Sequence, residues 1–480
     1  HSSPYFFLPA ILMSGLNRQL PPDIIIFPAK RSPPSARRTV KHFPSKVAAA
    51  LVMVASQAAM AQAPAPSPQT VVLRAARMIT IASPAMVTDA AILVRGDRIV
   101  AAGQSGSITI PAGARVIDLG DVTLLPGFID SHVHIIGRTL GDPMADLDVV
   151  KDYPSYGAIL GVSNAQKTLM AGFTSIRVLG SAGFDDMALR QAIEDGRAVG
   201  PRMQAAGHSL GITGGHCDSN GWRPGLLEQG VKEGVANGTD EVRASVRYQV
   251  KYGADVIKTC ATGGVLSEGD AVGATQYTYE EMKAMVDEAR KLERKVAAHA
   301  HGAEGIRIAT RAGVASIEHG SFLDDEGARM MAQQGTVLVP TLMAGQAVEA
   351  FARSGVLKGL RAEKALAAAA AMRRGIRTAI ANRVPIALGT DAGVIPHGTN
   401  AREFGLMVEW GGMSPIAALT AGTMNAANVL GWEKRVGSIE AGKLADIVAV
   451  TGDPLQDIRR TEQVTFVMKN GIVYKGPEGR

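Results

Sequence analysis

The chain has 480 residues, 46% of them hydrophobic and 20% charged, with a formal net charge of +6. This is the composition of a globular protein, long enough for a large domain with a smaller one or for roughly two to three ordinary domains. The basic excess gives no footprint for nucleic acid, because residues 1–46 carry Arg18, Lys30, Arg31, Arg37, Arg38, Lys41 and Lys46 against Asp23 alone and leave a nearly neutral body. Only Cys217 and Cys260 occur, which excludes a disulfide framework and leaves one bridge open.

Residues 1–39 lack a starting Met and show no amphipathic period, so they are expected to be a leader extension outside the fold. Residues 40–61 read as a secretion signal, with a basic start (Lys41, Lys46), an apolar core from Val47 to Ala55 and a small-x-small pattern at Ala59-Met60-Ala61. Cleavage near Gln62 would send the mature protein to the periplasm or outside the cell. The apolar core is too short to span a bilayer, so no membrane span is expected after cleavage. A Pro-rich linker fills 62–69.

From Thr70 to Leu125 short alternating runs such as "TVVLRAARMITI" and "DAAILVRGDRIVAAG" predict an antiparallel sheet. The same texture returns over 437–480, where "VTFVMKNGIVYKG" carries a hairpin signal at Asn470-Gly471. The two segments are expected to build one small composite β-sandwich.

Between them, over 126–436, apolar strand candidates alternate with helix-patterned stretches. The candidates are Gly127–His134, Phe173–Leu179, Met203–Ala206, Val256–Thr259, Val296–His301, Ala315–His319, Val337–Pro340 and Ile386–Thr390. Helical patterning is clearest in "YTYEEMKAMVDEARKLER" and "EKALAAAAAMRRGIRTAIA". The fold class is α/β, and this alternation predicts a closed (β/α)8 barrel of the TIM type. A doubly wound open sheet is the alternative, disfavoured because no Gly-rich phosphate fingerprint follows the first strand.

A barrel gathers its active site at the C-terminal ends of its strands. Strand one ends in His132-x-His134, two positions that share a face of an extended strand. Strand four carries Lys258, strand five His299 and His301, strand six His319 and strand eight Asp391. Singly each has a mild explanation, such as a satisfied core histidine or a helix cap. Jointly they point to a metal site. Nitrogen and oxygen ligands without thiolate suit Zn²⁺, and Mn²⁺ or Fe²⁺ fit the same set. Periodicity does not choose between His299 and His301, which share a strand face.

The ordered motifs "PGFIDSHVHI", "DVIKTCATGG", "VAAHAHGAEGIRIATRAGVASIEHG", "ALGTDAG" and "GSIEAGKLADIVAVTGDPL" resemble the metal-dependent amidohydrolase superfamily, in particular its imidazolonepropionase-like, prolidase-type branch. The resemblance runs from Thr70 to Gly476. It implies two divalent metal ions, with His132 and His134 on one and His299 and His319 on the other. It also implies Lys258 carboxylated on its amine as the bridge between them, and Asp391 as both ligand and proton carrier. A free ammonium has no lone pair for a metal, whereas a carbamate is a bidentate anion. His301 is then left as a substrate contact.

"AAGHSLGITGGHCDSN" places His216 on a Gly-rich loop near the mouth, a second expected substrate contact. In "FTSIRVLGS" an acid common in relatives is replaced by Val178, which puts a substrate role for Arg177 in doubt. Cys217 and Cys260 read as small inert side chains.

The implied reaction is hydrolysis of an amide with an amino-acid leaving group, by a hydroxide bridging the ions. Dipeptides, N-acyl amino acids and ochratoxin-like amides are the implied substrates, and a homo-oligomer the implied assembly. Cyclic amide or imide hydrolysis is the runner-up, and a non-catalytic metal-binding barrel is a reading from a different class. A mononuclear deaminase is disfavoured by Lys258, which that variant lacks.

Overall fold

The computed structural model describes residues 69–145 and 147–477. The expected leader and signal segment lie outside the described residues, as does the linker but for Gln69. Along the chain the strands are β1 (Thr70–Ile79), β2 (Met86–Arg95), β3 (Arg98–Gln104), β4 (Arg115–Asp118) and β5 (Val122–Pro126). Seven follow in the middle: β6 (Phe128–Val133), β7 (Phe173–Val178), β8 (Arg202–Ala205), β9 (Val256–Cys260), β10 (Lys295–Ala300), β11 (Ser316–His319) and β12 (Val337–Val339). The C-terminal segment adds β13 (Ile447–Thr451), β14 (Val464–Lys469) and β15 (Ile472–Lys475).

The N- and C-terminal strands share one eight-stranded sheet in the order β15-β14-β13-β5-β1-β2-β3, with β4 paired on β1. The seam is β5 against β13, antiparallel from Val122–Thr451 to Pro126–Ile447. Period-two alternation covers both faces: Val71, Leu73 and Ala75 enter one apolar cluster, while Val72 joins Ala91 and Leu93 in another. The β14–β15 hairpin turns at Asn470 (φ 51°) and Gly471 (φ 74°), the left-handed pair that a two-residue turn demands.

The middle strands pair in parallel, as β6-β7-β8 and as β9-β10-β11-β12. Isolated parallel bridges lie at the margins of these sheets: Leu210–Thr259, Leu338–Ile386 and Val133–Ala392. The eighth expected strand, Ile386–Thr390, forms no regular ladder. Its backbone still bonds on both sides, Leu338 N–H to the Pro385 carbonyl at 2.8 Å and Ser131 N–H to the Leu388 carbonyl at 2.9 Å, while the Thr390 N–H is shared between the Asp130 carboxylate (3.1 Å) and the His132 carbonyl (3.3 Å).

Helices separate the parallel strands. Tyr279–Lys291 is typical: the Thr278 hydroxyl accepts from the Glu281 N–H and the Glu281 carboxylate returns to the Thr278 N–H. Met282, Met285, Val286 and Ala289 then repeat at helical spacing and are buried. Phe128 and Phe173, the first residues of β6 and β7, meet Phe404, with ring centroids 5.6 and 4.9 Å from Phe128. That apolar filling occupies the N-terminal ends of the parallel strands and leaves their C-terminal ends to polar side chains. No helix among the described residues is long and apolar enough to cross a membrane.

Candidate active site

A cavity of about 900 Å³ opens at the C-terminal ends of the parallel strands, and His132, His134, Lys258, His299, His319 and Asp391 all reach it. The six come from distant parts of the chain yet pack at contact distance. The Lys258 Nζ lies 3.5 Å from the His132 Nε2. The Asp391 Oδ1 lies 3.5 Å from the His132 Nε2 and 3.3 Å from the His134 Nε2. The His299 and His319 rings are 4.6 Å apart, and those of His132 and His319 5.1 Å.

The ligand-type atoms fall into two groups, His299 with His301 and His319, and His132 with His319 and Asp391, in each of which all atoms lie within 4.8 Å of one another. His319 belongs to both. His301 thus joins the group in which only His299 and His319 were expected, and its ring stacks 5.0 Å from that of His319.

Three of the rings are oriented by side chains at Nδ1. His132 Nδ1 meets the Glu318 carboxylate at 2.8 Å, His319 Nδ1 the Thr341 hydroxyl at 2.7 Å, and His301 Nδ1 the Ser321 hydroxyl at 2.6 Å. Such partners fix tautomer and rotation and leave Nε2 for a ligand. Burial holds the His132, His299 and His319 imidazoles well below their usual range and takes His301 down to about 3, so all four are neutral and carry a free lone pair. Burial also lowers Lys258 to about 8 and raises Asp391 to about 6. The His299 Nε2 and Asp391 Oδ1 are buried with no hydrogen-bond partner among the described residues. Orphaned atoms of this kind, each within a cluster of neutral imidazoles, are what divalent cations would satisfy.

Backbone strain is concentrated here. His319 (φ 72°), Thr341 (φ 49°) and Asp391 (φ 60°) all occupy the left-handed region. Each such non-glycine residue costs about 1–3 kcal/mol and persists because its surroundings over-determine it. In an extended strand Glu318 and His319 would point to opposite faces; the turn at His319 lets both serve one site. Thr341 is held in turn by Glu403, whose carboxylate accepts from the Leu342 and Met343 N–H groups at 2.7 and 2.8 Å.

Arg177 is not a substrate contact. It lies 1% exposed beneath the site, with its guanidinium donating to the Ser131 carbonyl (2.6 Å), the Ser316 hydroxyl (3.1 Å) and Glu318 (2.9 Å). It has no access to the cavity because its strand position faces the interior and the buried Glu318 draws its charge inward. Glu318 itself escaped notice in the sequence, although an acid within the apolar run "VASIEHG" was the available signal, since acids are rarely buried unpaired.

His216 does reach the cavity. Its ring lies 4.2 Å from that of His299, and its backbone N–H donates to Gln276 Oε1 at 3.0 Å. The two cysteines form a disulfide, Cys217–Cys260, so they are cross-linked and not merely inert.

Comparison with known proteins fits this geometry. Residues 123–475 match the model of the amidohydrolase family. The chain belongs to that family. It is similar to an ochratoxinase of Aspergillus niger, 36% identical over 379 residues that make up 74% of this chain and 76% of that protein. It is also similar to an imidazolonepropionase of Deinococcus radiodurans, 26% identical over 78% of this chain and 89% of that protein. Among solved structures it resembles a Xaa-Pro dipeptidase with methionine bound in the active site, with 39% identity and a TM-score of 0.81 over 85% of this chain and all of that one. The A. niger ochratoxinase structure gives 31% identity and a TM-score of 0.74 over 86% and 97% of the two chains. Family and structural likeness together imply a TIM-barrel fold and a hydrolase of carbon–nitrogen bonds.

Proposed function

We propose that this amidohydrolase is a binuclear-metal enzyme that cleaves an amide with an amino-acid leaving group: a dipeptide, an N-acyl amino acid or an ochratoxin-like amide. The observation that carries this reading is the pair of overlapping ligand groups sharing His319 at one cavity. The family resemblance would put His132, His134 and Asp391 on one ion and His299 and His319 on the other; the groups themselves add His301 and have His319 in common, and Zn²⁺ is the best match to nitrogen and oxygen donors. Two such ions supply a lowered water pKa and a polarised scissile carbonyl.

The remaining chemistry belongs to the chain. A neutral Lys258 amine is required to add CO2, forming a carbamate and releasing a proton, and the burial that lowers its pKa to about 8 favours that neutral form. The Asp391 carboxylate, beside the His132 and His134 Nε2 atoms at 3.5 and 3.3 Å, would take a proton from the attacking water and give it to the departing nitrogen. His216 and His301 line the cavity and are positioned to contact the substrate. The names of the ochratoxinase and the Xaa-Pro dipeptidase support an amide whose leaving group is an amino acid.

A closed (β/α)8 barrel over 126–436 is part of the same proposal, supported by the parallel bridges that join the margins of the middle sheets. So is the composite β-sandwich of 70–125 and 437–480, supported by the β5–β13 seam. Export to the periplasm or beyond is supported by the Cys217–Cys260 disulfide, since such bonds persist in oxidising compartments. A homo-oligomer is proposed on family resemblance alone.

The test is a screen of metal-loaded protein, starting near Gln62, against dipeptides, N-acyl amino acids and cyclic amides, with elemental analysis alongside. The expected result is about two ions per chain and turnover of linear amides. One ion at full activity would remove the binuclear mechanism. Turnover confined to cyclic amides would favour the second reading, which the imidazolonepropionase similarity supports.

A further inference from the structure

The Cys217–Cys260 disulfide joins two segments 43 residues apart in sequence, and both of its ends reach the site. Cys217 directly follows His216 on the loop after β8. Cys260, 2% exposed, ends β9 two residues beyond Lys258. Neither ligand geometry nor the proposed reaction uses these sulfurs.

The foot of the loop is already fixed by backbone. The Leu210 N–H donates to the Lys258 carbonyl, and the Cys260 N–H to the Leu210 carbonyl, both at 2.8 Å. Its tip is held differently. Thr213 and Gly214 are exposed, and the bonds there run to Asn237 and Asp218 in contact with water. The loop then returns to the wall at Cys217, so the disulfide is its covalent tie at the far end.

Several features confine His216 once that tie is made. Gly264 provides a notch for the ring, because a Cβ there would stand 2.2 Å from it. Gly211 admits Cys217 closely, since a Cβ there would lie 2.7 Å from the cysteine Cβ. The His216 Nδ1 is buried with no hydrogen-bond partner among the described residues. No side-chain bond therefore orients this ring, in contrast to His132, His301 and His319.

We infer that the Cys217–Cys260 disulfide is a clasp that positions His216 over the metal-ligand cluster, so that turnover depends on the oxidised cysteines. The inference rests on the proposed amide hydrolysis and assigns its redox dependence. Reduction by a phosphine balances simply: the phosphorus takes oxygen from one water and becomes the phosphine oxide, the S–S bond breaks, and the two water protons end on two thiols. The freed loop then keeps its foot at Leu210 and the hydrogen bonds from the His216 N–H to Gln276 and from Asn220 to the Gly215 carbonyl, and loses the covalent constraint that sets the register of the His216 ring.

The experiment uses metal-loaded enzyme with N-benzoylglycyl-phenylalanine and the amide library. A peptide map without reductant should recover the Cys217 and Cys260 peptides joined; free thiols at both positions in active enzyme would overturn the inference. The double variant C217S/C260S should keep its metal content and lose about tenfold to a hundredfold in kcat/KM, the scale of an ångström-sized misplacement. Unchanged kinetics in that variant would overturn it. In a His216→Ala background the same pair of substitutions should cost less than about twofold, because coupled groups are not additive. A full, multiplicative loss there would show that the clasp does not act through His216 and would also overturn the inference. If C217S/C260S does not fold, phosphine treatment of folded wild type with reoxidation replaces it, and a reversible loss of the same size is expected. Inactivity of oxidised wild type toward every amide overturns the functional reading together with this one; activity indifferent to the disulfide overturns this one alone.

Discussion

His132 and Glu318 are 186 residues apart in sequence and meet at 2.8 Å, imidazole Nδ1 to carboxylate, in the buried floor of the site. Glu318 also accepts from Arg177 and from the Ser316 hydroxyl, so its charge is shared among three partners that hold it still. Glu318→Gln keeps the shape and removes the charge. Outer-shell partners of this kind are worth about 10- to 100-fold in metal affinity. Chelator competition should show a weakened ion in the variant, with KM for the amide changed far less than kcat. Metal affinity equal to wild type would remove Glu318 from the positioning of His132.

Arg177 gives the complementary prediction. Arg177→Met leaves the Glu318 carboxylate buried beside a thioether with its cationic partner gone. Breaking a buried pair from one side costs about 3–5 kcal/mol. Urea unfolding of the metal-free variant should show that loss, and adding Glu318→Gln should return part of it, since the two residues are coupled. Equal and additive losses would mean that the pair is not energetically connected.

The sequence made the chemistry of the strand ends legible because metal ligands must be His, Asp or a modified Lys, and those stand out in apolar strands. Strand positions were legible for the same reason: β7, β9 and β11 are apolar runs bounded by turn residues, and they match the expected strands to within a residue at each end. Ile386–Thr390 bonds through its backbone to both neighbours but builds no regular ladder, its Thr390 N–H being shared between the His132 carbonyl and the Asp130 carboxylate 260 positions away. The supporting layer was largely invisible. Thr341 and Glu403 carry no pattern that separates them from any helix-start Thr or surface Glu. The doubt that Val178 casts on a substrate role for Arg177 was legible, but its burial against Glu318, 141 residues away, was not. The disulfide needed the third dimension, since nothing in the spacing of two cysteines says that a loop folds back.

Glu403 supplies a pH dependence that does not involve the ligands directly. It is fully buried, and burial pushes its carboxyl up to about 8. An unfolded glutamate titrates near ~4.3, so the folded protein retains a proton that the unfolded chain gives up. The resulting stability is full below about pH 4 and is lost as pH rises through 8, on the order of a few kcal/mol. Glu403→Gln has no such titration, and its amide nitrogen, set against one of the two backbone N–H donors, adds only a pH-independent cost. The difference between the urea midpoints of the two metal-free proteins should therefore shift toward the variant as pH rises from 5 to 9. Parallel curves would show that Glu403 ionises normally in the folded state.

Lys258 decides between a carbamate bridge and a structural lysine. Lys258 is 3% exposed and its amine lies 3.5 Å from the His132 Nε2, among neutral imidazoles and with the Glu318 and Asp391 carboxylates nearby. Removing a bridging anion would leave two divalent cations facing each other, and their repulsion at ~4 Å is roughly 15 kcal/mol even at an effective dielectric near 20. Lys258→Ala should therefore lose at least one ion and orders of magnitude in turnover while circular dichroism stays unchanged, because the other ligands sit on separate strands. Formate or acetate should restore part of both by filling the vacated position. Lys258→Arg should restore neither, since a guanidinium forms no carbamate and stays cationic. Growth with ¹³C-bicarbonate should give the wild type a carbamate carbon signal that both variants lack. If Lys258→Arg retained two ions and near-normal turnover, the lysine would be structural and the bridge would have to come from another residue.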